Sequence, residues 1–251
     1  MLRAYTYKLV HSSLTYISVL GVLAICLTFF LFDYNSNDHL VMHVEFFLNI
    51  NAYRKAIAIF AALPFTANFA DEWHDGVTNH CITRNGIKKY ALANSLFCAT
   101  TSFLAVFLGL MIFAISLSFS VPIYWHDSNP VSLPFGILLE NDLPWIYLIT
   151  EVFVFSCSIS MWCMLGLLLS AFLPNKYVAI CSPLVASYVV ERITMNLPDA
   201  FNLWYLSLTH INLTNPWFAF LYMTGVFLAL SVVCGIVFYF VLRKRVQNEV
   251  A

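Results

Sequence analysis

The chain has 251 residues, of which 61% are hydrophobic and 10% are charged, and its mean hydropathy is +0.80. Soluble domains carry about 25% charged residues, so this composition argues against a soluble globular fold and favours a chain that uses lipid as its solvent. The net charge of −1 provides no basic surplus to neutralise phosphates, which argues against nucleic acid as a partner. We predict an all-α polytopic membrane protein, with residues 1–251 forming a single transmembrane domain.

The N-terminal segment, residues 1–13, precedes the first apolar run. Leu2, Tyr5 and Leu9 share one helical face. This pattern predicts an N-terminal interfacial helix on the inner side of the membrane, and the alternative is a frayed tail. The apolar run that follows lacks a small-residue cleavage site after it, so we predict a retained helix rather than a cleaved signal.

Six apolar segments come close to or exceed the roughly 20 residues that a helix needs to cross a bilayer. The second is the weakest of them, because Arg54 and Lys55 open it and Pro64 lies inside it. Proline removes a backbone hydrogen bond, and we therefore expect a kink at Pro64, which membrane helices tolerate. The predicted transmembrane helices are at about 14–32, 54–71, 90–120, 145–173, 177–195 and 217–242.

The basic residues predict the orientation of these helices. An even number of crossings places both termini on one side, and nine of the twelve Lys and Arg residues fall on that side. The opposite loops, at about 33–53, 121–144 and 196–216, contain none. Because cytoplasmic loops are enriched in Lys and Arg, we predict that both termini are cytoplasmic and that the chain is a multi-pass protein of the cell membrane.

The most charged cytoplasmic segment is the loop at 71–89, with its acidic residues first and its basic residues last. Gly76 is expected to end the helix that descends from the second span. We expect a short helix to follow, with Thr83 capping the start of the third span. Such an arrangement forms a projecting elbow that suits contact with another protein, and the alternative is an ordinary solvated loop.

The loop contains an acidic residue, a glycine, Ser/Thr-Arg and a basic residue in this order, at Glu72, Gly76, Thr83-Arg84 and Lys88. This pattern resembles the membrane subunits of ABC-2 type transporters, in particular bacterial members that export peptides or confer bacteriocin immunity, and it implies a bacterial plasma membrane. The tight inner turn at 170–176 is a looser second match. The topology of six spans and an N-terminal interfacial helix is similar over the whole chain.

The resemblance implies a permease subunit that exports an amphiphilic substrate such as a peptide, antibiotic or lipid. The elbow would dock on an ABC ATPase subunit, and a second permease copy or paralogue would complete the transporter. The segment 196–216 would form short re-entrant helices. The residues implied in ATPase coupling are Glu72, Asp75, Gly76, Thr83, Arg84 and Lys88. The chain has no GxxxxGK[ST] motif, so ATP and Mg would be bound by the partner, and we predict no enzyme activity and no cofactor in this chain.

Polar residues inside the spans leave two other functions open. Glu151 lies in the fourth span, where a carboxylate must be paired, protonated or exposed to a cavity. It is therefore a candidate for substrate contact, and pairing between helices is the alternative; for Glu191 and Arg192 we favour structural pairing. An intramembrane enzyme would use Glu151 or the histidines, of which His39 and His43 have a spacing that allows metal binding on a helix. The remaining alternative is a non-catalytic scaffold or immunity protein.

Overall fold

The computed structural model describes residues 2–33, 39–125, 135–210, 213 and 215–250, and all regular secondary structure within these ranges is helical. Parts of the predicted outer loops, residues 34–38 and 126–134, lie outside the described residues. A 3-10 helix at Asp199–Phe201 precedes α11. The α-helices are α1 (Leu2–His11), α2 (Ser13–Asp33), α3 (Leu40–Asn49), α4 (Asn51–Ala62), α5 (Asn68–His74), α6 (Val77–Asn85), α7 (Ile87–Leu117), α8 (Gly136–Glu140), α9 (Pro144–Phe172), α10 (Lys176–Thr194), α11 (Leu203–Ser207) and α12 (Pro216–Val250).

Four of these helices are long and apolar enough to cross a membrane, namely α2, α7, α9 and α12. This confirms an all-helical chain with several helices that fit a transmembrane protein. The other two predicted spans take different forms. The segment at 54–71 is divided between α4 and α5, and the segment at 177–195 corresponds to α10, which includes Lys176, Glu191 and Arg192.

The break between α4 and α5 follows from Pro64. Leu63 N–H donates to the carbonyl of Phe60, three residues back, at 3.2 Å, and residues 63–67 form a turn. Pro64 has no N–H to continue the helical ladder, and its ring crowds the preceding turn. The helix therefore stops for five residues and resumes at Asn68, a larger interruption than the predicted kink.

Asparagine side chains cap the starts of three other helices. The side-chain oxygens of Asn175, Asn202 and Asn215 accept backbone N–H groups at the starts of α10, α11 and α12. Each of these oxygens satisfies donors that have no partner within the helix. Because Asn175 caps α10 directly after α9 ends at Phe172, the predicted inner turn is tight.

The helix α9 forms the centre of the bundle and contacts α4, α7, α10 and α12. Large side chains along α9, including Tyr147, Phe155 and Trp162, are almost completely buried. In contrast, α12 exposes apolar residues such as Leu221 and Phe240. A helix whose exposed face is apolar is suited to contact with lipid.

The crossing of α9 and α10 depends on a close approach at Gly166. A Cβ at this position would lie 2.8 Å from Pro183 Cγ and 2.9 Å from the carbonyl oxygen of Ala179. Pro183 lacks the N–H that would normally bind this carbonyl, and Ser182 Oγ donates to it at 3.4 Å instead. A side chain at position 166 would therefore push α9 and α10 apart at the point where Pro183 already interrupts the backbone hydrogen bonds of α10.

We expect Gly166→Val to destabilise the protein by about 1–3 kcal/mol, the usual cost of overpacking a filled site. The measurement is the thermal unfolding midpoint of the full chain in a mild detergent. Gly225→Val in α12 is the matched control, because a Cβ there has no atom within 4 Å. Equal midpoints for the two variants would contradict the close approach.

Candidate functional site

The predicted elbow is a nine-residue helix, α6, held between two glycine joints. Gly76 has a φ of 71° and precedes α6, while Gly86 has a φ of 82° and separates α6 from α7. Glycine adopts this left-handed region without the steric cost that a Cβ imposes. The two glycines therefore let the chain turn sharply at both ends of α6, so that this helix is a separate element between α5 and α7.

The two faces of α6 differ in exposure. Thr78 and Ile82, one helical turn apart, are buried against the bundle, whereas Thr83 and Arg84 are exposed. The Thr83 hydroxyl donates to the carbonyls of Asn79 and His80, both at 3.0 Å. The prediction that Thr83 caps the third span is therefore wrong, because that helix starts after Gly86.

The predicted coupling residues fall into two groups. Asp75, Gly76, Thr83, Arg84 and Lys88 are exposed along the elbow and at the start of α7. Glu72 is different: it is only 8% exposed, and its carboxylate points into the protein. These six residues therefore comprise an exposed surface and one buried group that supports it.

The Glu72 carboxylate accepts hydrogen bonds from three helices. The hydroxyls of Tyr90 in α7 and Tyr5 in α1 donate to Oε2 at 2.7 and 3.1 Å, and Asn68 Nδ2 in α5 donates to Oε1 at 2.9 Å. Burial, followed by the negative charge of Glu72, raises the pKa of the Tyr5 phenol well above its usual range. The phenol therefore stays protonated and remains a donor.

A second layer of polar groups orients the donors to Glu72. Asn94 Nδ2 donates to the Tyr5 hydroxyl at 3.2 Å, and Asn94 Oδ1 accepts from Asn68 Nδ2 at 3.0 Å. Lys8 Nζ donates to Asn68 Oδ1 and lies 4.0 Å from Glu72 Oε1. The buried side chains of Tyr5, Asn68, Glu72, Tyr90 and Asn94, with the exposed Lys8 at their edge, form one network, which we call the Glu72 cluster.

Sequence reasoning selected Glu72 but missed most of its partners. The signal that was available is helical spacing: Asn68 lies four residues before Glu72, and Asn94 lies four residues after Tyr90. Such pairs lie on one face of a helix. Polar residues spaced in this way within apolar segments indicate a buried contact, but the spacing does not reveal which helices meet.

The residues that flank Glu72 connect the base of the elbow to other helices. Asp71 forms an ion pair with Lys176 at the start of α10, with 3.5 Å between Nζ and Oδ2. The guanidinium of Arg245 in α12 lies 4.6 Å from the centroid of the Trp73 ring and donates to the carbonyl of Ala171 at the end of α9. Three successive residues, 71–73, therefore contact α1, α7, α10 and α12.

Comparison with known proteins does not place this chain in a family. No family model, curated protein or solved structure matches it. Its function must therefore be inferred from its own residues and their geometry.

A second buried polar cluster lies at the ends of α4 and α10 that are farther from the elbow. Arg54 Nη2 and Lys55 Nζ both donate to Glu191 Oε2, at 3.0 and 2.5 Å. Arg54 also donates to Ser207 Oγ at 3.0 Å and stacks on Trp204, with 4.2 Å from Cζ to the ring centroid. The expected structural pairing of Glu191 is present, and it joins α4, α10 and α11.

Glu151 is buried near this second cluster and accepts a hydrogen bond from the Thr209 hydroxyl. Thr209 lies two residues after the end of α11 and has a positive φ of 56°. Glu151 thus connects α9 to the segment at 196–216, where the resemblance implied short helices and where the 3-10 helix and α11 are found. This contact supports the interhelical alternative for Glu151.

The two histidines whose spacing allows metal binding on a helix have other contacts. His39 Nδ1 accepts the backbone N–H of Met42 at 3.1 Å and so caps α3. The His43 ring packs edge-on against Phe30. Within the described residues, no group of three or more His, Cys, Asp or Glu side chains has the geometry to hold a metal ion.

We expect Glu72→Ala to destabilise the protein by about 3 kcal/mol, because it leaves several buried donors without an acceptor. The measurement is the thermal unfolding midpoint in detergent, together with proteolysis of the elbow. Asp75→Ala is the matched control, since it removes an exposed carboxylate three residues away and should change stability by less than about 0.5 kcal/mol. A Glu72→Ala variant as stable as Asp75→Ala would rule out a supporting role for the cluster.

Proposed function

We propose that this chain is the membrane-spanning permease subunit of an ABC-2 type transporter, which exports an amphiphilic substrate with energy from a separate ATPase subunit. The observation that carries the proposal is the elbow: a short helix between two glycine joints, with an exposed polar face and a base connected to four other helices. This arrangement is suited to receiving force from a protein partner.

The exposed face of α6 provides the contact surface in this proposal. Arg84 presents a guanidinium, which is suited to carboxylate groups on a partner because it offers several donors in a planar fork. Asp75 and Thr83 add an acidic group and a hydroxyl that are also exposed. The ATPase subunit would bind this face, and it would also bind the ATP and Mg.

The Glu72 cluster would transmit movement of the elbow into the membrane. Its hydrogen bonds join α5 to α1 and α7, so these three helices move together when α6 is displaced. The contacts of Asp71 and Trp73 extend the same connection to α10 and α12. Alternating access would then be a rigid-body movement of the bundle against a second permease copy or paralogue.

The six-span topology and the cytoplasmic position of both termini belong to this proposal. In addition to the four long apolar helices, α4 with α5 would form one crossing and α10 another. The 19 residues of α10 extend about 28 Å, close to the thickness of the hydrocarbon core, which is about 30 Å. The distribution of Lys and Arg supports the placement of the elbow in the cytoplasm.

We expect a photo-crosslinking residue at position 83 to capture an ATPase subunit of the ATP-binding-cassette class in native membranes. The reason is that Thr83 lies on the exposed face of α6. Arg84→Ala should lower the yield at least about tenfold, since a hydrogen bond to a charged group contributes about 1.5–3 kcal/mol. The adduct is identified by mass spectrometry.

The control for this experiment is the same residue at position 119, which is 86% exposed and lies two residues beyond the far end of α7. Position 119 should give no ATPase adduct, because it would lie on the outer side. Absence of an ATPase adduct at position 83, or an equal yield at position 119, would contradict the transporter assignment.

Reporter fusions provide a test of topology that does not involve the ATPase. We expect green fluorescent protein fused after residue 251 to fluoresce, and alkaline phosphatase to be active after Asn141 but inactive after Asn85. These results follow from the basic residues near the elbow and the C-terminus. Phosphatase activity after Asn85 would show that the elbow does not face the cytoplasm.

A further inference from the structure

An apolar groove runs between α7 and α12, with α9 at its floor. Its volume is about 580 Å³, within the range of about 300–1,000 Å³ that is usual for ligand sites. Leu92 and Leu96 form one wall, Val232 and Ile236 form the other, and Met164 contributes to the floor. The four wall residues are at least half exposed, so the groove opens sideways to whatever surrounds the bundle.

The length of the groove corresponds to one leaflet of a bilayer. Its residues on α7 run from Lys88 to Ala99, a distance of about 16 Å at the helical rise. On α12 they run from Leu228 to Phe240, about 18 Å by the same measure. One leaflet of the hydrocarbon core is about 15 Å thick, so an extended acyl chain fits along the groove.

Positive charge is concentrated at one end of the groove. Lys88 is exposed and lines this mouth from α7. Ser95 in α7 and Gly235 in α12 lie at the same level of the groove, since a Cβ at Gly235 would be 3.4 Å from Ser95 Oγ. From this level α7 reaches Lys88 after seven residues, and the antiparallel α12 reaches Arg243 after eight. Arg243 and Lys244 are exposed one turn beyond Tyr239 and Phe240, while none of the residues lining the groove is acidic.

One polar group interrupts the apolar wall. The hydroxyl oxygen of Ser95 is buried and has no hydrogen-bond partner among the described residues. It lines the groove about two turns from the mouth. The Ser95 hydroxyl is therefore an available donor in the wall of the groove.

We propose that this groove binds one anionic phospholipid of the inner leaflet. One acyl chain lies between α7 and α12, and the headgroup phosphate contacts Lys88 and Arg243 at the mouth. Basic residues at the cytoplasmic ends of membrane helices attract anionic lipid headgroups. The assignment to the inner leaflet rests on the orientation given in the proposed function, but lipid binding does not rest on transport, because lipid retention is measured without ATP or a partner subunit.

The test uses the full chain in mild detergent, incubated with equal amounts of phosphatidylglycerol and phosphatidylcholine that carry identical acyl chains. Native mass spectrometry then measures which lipid remains bound. We expect the wild type to retain phosphatidylglycerol preferentially and Lys88→Gln to lower that retention about fivefold, the effect of one cation near a membrane surface. Lys89→Gln is the matched control, since Lys89 is exposed but does not line the groove.

A second pair of variants tests the groove itself. Val232→Trp should fill it and reduce the retention of both lipids, and the bulk is added at a position that is 60% exposed, outside the core. Val233→Trp is the control, because Val233 is 54% exposed and does not line the groove. Each variant is first compared with the wild type by elution profile and unfolding midpoint.

Preference for phosphatidylglycerol that depends on Lys88 and on Val232, but not on their neighbours, establishes the site. Equal retention of the two lipids by the wild type, or equal losses in Lys88→Gln and Lys89→Gln, overturns it. A bound second copy of the chain that Val232→Trp displaces, without any lipid preference, also overturns it and assigns the groove to self-association.

Discussion

A carboxylate inside a helical bundle must obtain from the protein the hydrogen bonds that water would otherwise supply. In this chain, that requirement applies to Glu72. Desolvating an ion without partners is so costly that buried charges occur almost only where they are paired or hydrogen-bonded. Glu72 meets the condition by drawing donors from α1, α5 and α7. The position of α1, the angle at which α5 leaves its break at Pro64, and the start of α7 are therefore linked through one side chain.

The second cluster, around Glu191, follows the same physics with a different balance of charge. Two cations, Arg54 and Lys55, share one carboxylate oxygen, so the local pairing is incomplete and the aromatic ring of Trp204 assists it. At the elbow, by contrast, one carboxylate is surrounded by neutral donors and one distant lysine. The helices are thus held together by mainly neutral donors at the elbow end of the bundle and by a charged cluster at the other end. The free energy needed to separate the helices can therefore differ between the two ends.

The sequence predicted the helical class and the four long apolar helices α2, α7, α9 and α12, because apolar length is a local property. It also predicted that Gly76 ends one helix and that another follows. It predicted a kink at Pro64 but not that five residues there would leave the helix, and it did not predict the joint at Gly86. The Glu72 cluster was missed because its contacts join residues far apart in the sequence, such as Tyr5 and Asn94, and depend on which helices pack together.

The position of the glycine joints determines what a force on α6 can do. If α6 only rotated about Gly76 and Gly86, the bundle would not move, because glycine permits a wide range of φ and ψ. The inner face of α6 prevents this: Ile82 is buried, and the Thr78 hydroxyl lies 3.4 Å from the hydroxyl of Tyr90. Tyr90 in turn donates to Glu72. A displacement of α6 must therefore either break a buried hydrogen bond or carry α5 and α7 with it, and the second course retains the hydrogen bonds of the Glu72 carboxylate.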